Sequence, residues 1–151
     1  VTEPGAGRAI GPSAALPPIR IAAAVINKAN GLTLLVRKRG SRFFIQPGGK
    51  IEPNESAIEA LARELREEVG LVVTKAEPLG DFSDRAVNEP TRRVEANVFD
   101  VIVEGHLRLG AEIEEAVWVD PAAPGDLQLA PLTQDQILPL IARRPKSAEE
   151  F

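Results

Sequence analysis

Residues 49–71 constrain this chain more than any other stretch. They read Gly49, then Glu55, then Arg63-Glu64-Leu65-Arg66-Glu67-Glu68-Val69-Gly70-Leu71. The pattern predicts a helix over Ser56–Val69. Ser56 and Glu59 have the spacing of a capping box. Ile58, Leu61, Ala62, Leu65 and Val69 recur at helical spacing as its buried face, and Gly70 ends it as a C-cap. On a helical wheel Glu64, Glu67 and Glu68 fall within an arc of roughly 100°, beside the apolar face and not opposite it. Like charges at these spacings cost roughly 0.2–0.5 kcal/mol per pair on an exposed helix, and the last turns of a helix disfavour anions.

Local physics therefore argues against this placement, and a bound divalent cation would reverse the sign of the local field. Donors that are all oxygen suit Mg²⁺, or Mn²⁺ in its place, and not zinc. Mg²⁺ is commonly held by few carboxylates and completed by waters and substrate phosphates, which points to hydrolysis of a phosphate ester or anhydride. The competing interpretation is a solvated acidic helix end in which Arg63 pairs with Glu59 and Glu67, each four residues away. Gly48-Gly49 ahead of the helix, and Glu55 eight residues before Arg63, favour the metal. Glycine lets backbone carbonyls approach a ligand with no Cβ in the way.

The chain has 151 residues, a length that suits one domain. With 44% apolar residues it can bury a core, which excludes global disorder. A net charge of −4 gives no overall attraction to a nucleic acid polymer, although a local basic patch can still hold a phosphate. Without cysteine, disulfides, thiolate zinc sites and a cysteine nucleophile are excluded. No apolar run approaches the roughly 20 residues of a membrane span, and no secretory pattern is visible at the N-terminus. The expected location is cytoplasmic.

Residues 1–18, rich in Gly, Ala, Pro and Ser, are expected to form a flexible tail, with the domain at 19–143 and a loose charged tail at 144–151. Ile19 to Ile26 is a β-prone run. Asn30-Gly31 predicts a turn that pairs it as a hairpin with Leu32 to Val36. A short strand is expected over Phe43 to Ile45, after which Pro47-Gly48-Gly49 breaks the pattern. Beyond the helix come strand pieces at Leu71 to Val73 and Leu79 to Phe82, a polar loop from Asp81 to Arg93, a long strand over Val94 to Val103 and a short one at Val117 to Val119. A second helix is expected over Thr133 to Ala142, with Pro139 inside it. Mixed strands and helices in this order fit a sheet covered on two faces.

The 23 residues 49–71 resemble the Nudix box, GX5EX7REUXEEXGU with U apolar. Gly49, Glu55, Arg63, Glu64, Leu65, Glu67, Glu68, Gly70 and Leu71 fill all nine specified positions. The resemblance implies the α/β/α sandwich of that family, with a mixed central sheet. It also implies cleavage of a nucleoside diphosphate linked to another group, by attack of water on phosphorus. On that resemblance Glu67 and Glu68 are the main metal ligands, Glu64 is a further ligand or the base that activates water, and the carbonyl of Gly48 adds a ligand. Glu55 and Arg63 would orient loop and helix through a charge-assisted hydrogen bond.

Other candidates surround the box. Glu112, Glu114 and Glu115 precede Trp118. Some relatives place a further metal-binding carboxylate in such a loop, and Glu112 is the choice by its distance from the tryptophan. Arg37 and Arg39 share one face of an extended segment and are candidates for phosphate contacts at the mouth of the site, as is Lys50 within the box loop. Asn88, in the polar loop, is a candidate for reading a base or ribose.

Substrate markers lie beyond the box. Members that cleave ADP-ribose often carry a proline about fifteen residues past the box glycine, where this chain has Asp84-Arg85-Ala86, and the tyrosine of dinucleotide polyphosphate hydrolases has no counterpart here. The approach Pro47-Gly48-Gly49-Lys50-Ile51-Glu52 looks most like the enzymes that cleanse nucleotide pools. The chain departs from them at Gln46, where an apolar or aromatic residue is usual, and at Thr133-Gln134, where a purine-reading asparagine is expected. The expectation is a monomer or homodimer that converts a (deoxy)nucleoside triphosphate to monophosphate and pyrophosphate. The alternatives are the same chemistry on a linked diphosphate and a non-catalytic nucleotide-binding module.

Overall fold

A computed structural model describes residues 16–87, 89 and 91–144. Most of both expected tails, and Asn88, lie outside the described residues. The strands divide between two sheets. The first is mixed and four-stranded: β4 (Gly48–Lys50), β1 (Ile19–Val25), β6 (Arg93–Glu104) and β5 (Val72–Arg85), in that spatial order. β1 and β6 run parallel, and the other neighbours are antiparallel. The second sheet is antiparallel, with β2 (Thr33–Lys38) between β3 (Phe44–Ile45) and β7 (Ile113–Val119).

Helix α1 (Ala57–Val69) covers one side of this β layer, and α2 (Leu138–Arg143) with the turn before it covers the other. Alternation along β1 supplies both cores. Ala22, Ala24 and Ile26 pack with Leu61, Leu65 and Val69 of α1. Ala23 and Val25 pack with Leu132, Ile137 and Leu138. This is the α/β/α sandwich with a mixed sheet that the resemblance implied. No helix among the described residues is long and apolar enough to cross a membrane.

Several local expectations change. The expected β1–β2 hairpin pairs only at its base, through the Asn27–Thr33 bridge and Leu34 N–H donating to Ile26 O at 3.0 Å. The strands then part into different sheets, because both faces of each must be covered. Pro47-Gly48-Gly49 does not simply break the pattern: Gly48–Lys50 is a strand paired antiparallel with Ile21–Ala23. Long-range pairing imposes it, and the close approach needs glycine, since a Cβ on Gly48 would lie 2.1 Å from Ala22 O.

The two strand pieces after α1 are one strand of 14 residues, with register shifts at Val73/Lys75 and Pro78/Gly80. These bulges hide its continuity from the sequence. The loop expected from Asp81 to Arg93 shrinks accordingly, because Asp81–Arg85 pairs with Arg93–Asn97. In the last helical region the hydrogen bonding widens to a π-helical turn over Thr133–Ile137 before α2. Pro139, which has no N–H to donate, falls in the first turn of α2.

Candidate active site

Helix α1 begins with the expected reciprocal cap. Glu59 N–H donates to Ser56 Oγ at 3.1 Å, and Ser56 N–H donates to Glu59 Oε1 at 2.8 Å. It ends at Gly70, in the left-handed region at φ 71°. The following loop docks on this end, with Arg108 N–H donating to Val69 O and Gly110 N–H to Glu68 O, each at 2.9 Å. The carbonyls of Glu68 and Val69 are thereby satisfied. Its buried face differs from the one expected. Ile58 is exposed, whereas Ala60, Leu61, Leu65, Val69 and Glu68 are buried.

The burial of Glu68 organises the site. Its side chain is only 3% exposed. Gly48 N–H donates to Glu68 Oε1 at 3.3 Å, and Lys38 Nζ lies 3.5 Å from Oε2. Oε2 itself is buried without a hydrogen-bond partner. Burial pushes the carboxyl up to about 7, outweighing the pull of Lys38 and of the Gly48 N–H. A buried carboxylate whose Oε2 has only the Lys38 ammonium, at 3.5 Å, for a partner is costly.

Glu64 lies against Gly49, where an added Cβ would come within 2.4 Å of Glu64 Cδ. Arg63 ties the box together. Its Nε donates to Glu55 Oε2 at 2.8 Å and its Nη2 to Glu55 Oε1 at 3.0 Å. Nη1 donates to Glu64 Oε2 at 2.9 Å, and Nη2 to the carbonyl of Lys50 at 3.1 Å. The Arg63 guanidinium holds the Glu55 carboxyl down to about 2, helped by the Glu52 N–H. Glu67 stays 62% exposed, 3.7 Å from Arg63 Nη1. Among the described residues no three acidic or histidine side chains converge on one point. The chemistry of the candidate donors nonetheless fits a hard divalent cation, since all of them are carboxylate or carbonyl oxygens and Glu68 is buried.

A cavity of about 220 Å³ opens beside these groups. Gly48, Gly49, Lys50 and Lys38 line one part of it, and Ile21, Ile45, Val94, Leu132, Gln46 and Thr133 another, with Arg85 to Val87 and Glu89 at the edge. A larger cavity, of about 630 Å³, lies around the Asn27–Leu32 turn, Asp100 and Arg144 and includes no box residue. Of the two, only the smaller is lined by residues of the 49–71 segment, Gly49 and Lys50.

Not every sequence candidate reaches this cavity. Lys50 does. Arg37 and Arg39 do not: they pair with Glu115 and Glu114 across the β2–β7 ladder. They do share a face, but the face toward α1 continues from Leu34 and Val36 to Lys38, the residue that sequence reasoning passed over. The alternation was the signal that could have found it. Glu112 is exposed at the entry to β7, its carbonyl accepting from Arg39 N–H at 2.8 Å, and it does not line the cavity. Asn88 falls outside the described residues.

The model of the NUDIX domain matches residues 17–141. The chain belongs to the Nudix family. Relatives carry varied names. The chain is 34% identical over 102 residues to an ADP-ribose pyrophosphatase of Methanocaldococcus jannaschii, covering 64% of this chain and 58% of that protein. It is 32% identical over 111 residues to an 8-oxo-dGTP diphosphatase of Haemophilus influenzae, covering 70% and 78%. It is 41% identical over 116 residues to an octanoyltransferase of Myxococcus xanthus; the match covers 69% of this chain but only 31% of that protein. Among solved structures, the MutT protein of Methanosarcina mazei Go1 is similar with a TM-score of 0.71 and 30% identity, covering 84% of this chain and 94% of that one. Nudix hydrolases generally use divalent metal ions.

Proposed function

We propose that this chain is a Mg²⁺-dependent pyrophosphohydrolase of (deoxy)nucleoside triphosphates, yielding monophosphate and pyrophosphate. The observation that carries this reading is the buried carboxylate of Glu68, held between the Gly48 N–H and Lys38, two residues that line the same cavity as Lys50. Glu67 and Glu68, with the Gly48 carbonyl, would hold the cation, for which Mn²⁺ can substitute. Glu64 serves as a further ligand or as the base that takes a proton from the attacking water. When bound, the cation neutralises charge on phosphate oxygens and promotes the ionisation of water. Lys50 and Lys38 supply positive charge for the phosphates of the substrate. Arg63, held by Glu55, fixes the loop carbonyl of Lys50 and the carboxylate of Glu64 in one arrangement, which limits reorganisation during reaction.

The test is a hydrolysis panel of nucleoside triphosphates, ADP-ribose, nucleotide sugars and dinucleotide polyphosphates with Mg²⁺, with products identified. Release of pyrophosphate from a triphosphate supports the reading. A second reading, cleavage of a linked diphosphate, rests on the similarity to a protein named ADP-ribose pyrophosphatase. It predicts two phosphorylated fragments and no pyrophosphate. Metal-dependent nucleotide binding without any turnover would leave only a binding module.

A further inference from the structure

Gln46 precedes the box and is 4% exposed, and Thr133, 87 positions along the chain, is 1% exposed. The Thr133 hydroxyl donates to Gln46 Oε1 at 2.9 Å. Gln46 Nε2 is buried and has no partner. An unpaired buried amide is destabilising, and native structures seldom leave one unexplained. The neighbours give no reason for an amide here, because the cavity beside Gln46 and Thr133 is walled by Ile21, Ile45, Val94 and Leu132. An aliphatic side chain at position 46 would pack there without an orphaned group.

The same cavity runs to the box glycines and Lys50. It is cationic where phosphates would sit and apolar where a base would sit. Its volume of about 220 Å³ falls below the roughly 300–1,000 Å³ of sites that swallow whole ligands. That suits a planar ring held inside with the phosphates at the mouth. Because Thr133 occupies the amide oxygen, the free end of Gln46 is a donor.

We propose that Gln46, oriented by Thr133, donates a hydrogen bond to an exocyclic carbonyl of the nucleobase and so selects carbonyl-bearing bases over adenine. The proposal rests on the reading that this cavity takes a nucleoside phosphate. Guanine and adenine have the same size, but guanine presents the O6 acceptor where adenine presents the N6 amino donor. A donor facing a donor leaves both unpaired, and sites built around a buried hydrogen bond discriminate strongly against such a mismatch.

The test is calorimetric titration of the full chain with GMP and AMP, for wild type, Gln46→Met and Thr133→Val. Wild type is expected to bind GMP at least about tenfold more tightly than AMP. Gln46→Met is expected to bring the two together by weakening GMP, and Thr133→Val to narrow the ratio by freeing the amide to turn. Thermal unfolding of each variant shows that it is folded, and should Gln46→Met not fold, Thr133→Val and the wild-type ratio decide. Equal wild-type affinities, no binding of either nucleotide, or an unchanged ratio in a folded variant overturns the proposal. Binding is read without turnover, so a failure of the proposed pyrophosphohydrolase reaction would appear separately, in the hydrolysis panel.

Discussion

Arg63 grips Glu55 with two nearly parallel hydrogen bonds, of 2.8 and 3.0 Å, and through the same guanidinium reaches Glu64 and the Lys50 carbonyl. One side chain thus fastens the loop after β4 to the acidic stretch of α1. The pair also sets a pH dependence. The folded-state pKa of Glu55 is about 2, below its ordinary value of 4.5. A depressed carboxyl contributes stability that is fully present above the unfolded value and is lost as pH falls through the folded one. Glu55→Gln should therefore lower the melting temperature at pH 7, and the gap to wild type should close between about pH 4.5 and pH 2. A gap that stays constant over that range would show that the ion pair does not act through the Glu55 charge.

Glu67 is the most exposed of the three helix carboxylates, so Glu67→Gln should cost less than about 0.5 kcal/mol in stability. If the residue holds the cation, turnover should fall by about a hundredfold or more, since metal stabilisation of the transition state is worth several kcal/mol. Denaturation and steady-state kinetics on the same preparation check both. Full activity in this variant would remove Glu67 from the site.

Gly48, just ahead of the box, and Gly49, its first residue, should fail differently when changed to alanine. At Gly48, φ is 150° and the new Cβ would meet backbone, Ala22 O at 2.1 Å. Such strain should cost about 1–3 kcal/mol of stability. At Gly49 the obstacle is the Glu64 side chain, which can yield only by giving up its hydrogen bond from Arg63. Gly49→Ala should unfold close to wild type and lose activity. Comparing melting temperature with rate for each variant separates a glycine needed by the backbone from one that makes room for the Glu64 carboxylate.

The corrected face of α1 gives a stability test. Ile58 is 46% exposed whereas Leu61 is fully buried. Leu61→Ala should cost about 2–5 kcal/mol and Ile58→Ala within about 0.5 kcal/mol, measured by chemical denaturation. Similar costs for both would restore the face read from the helical wheel.

What the sequence disclosed was mostly local. The Ser56–Glu59 cap and the Gly70 terminator are decided by residues within one turn, and both are present. The order of the nine box positions pointed to family and fold before any coordinates. What stayed hidden depends on partners far along the chain. Gly48–Lys50 looks like a breaker until Ile21–Ala23 lies beside it. The helical wheel puts Glu68 only beside the apolar face, and its full burial depends on Lys38 and Gly48, 30 and 20 positions earlier. Gln46 stood out as a departure, but its contact with Thr133 spans 87 positions and no periodicity reports it. Arg37 and Arg39 share a face, as alternation predicts, but that face meets Glu115 and Glu114, while Lys38 between them turns to Glu68.

The most direct measurement is pyrophosphate release from nucleoside triphosphates by wild type and Glu67→Gln, with Mg²⁺ and after chelation. Wild type is expected to release monophosphate and pyrophosphate only while Mg²⁺ is free, and the variant to be slower by about a hundredfold or more. Chelator-insensitive release, or equal rates from the two proteins, would contradict it.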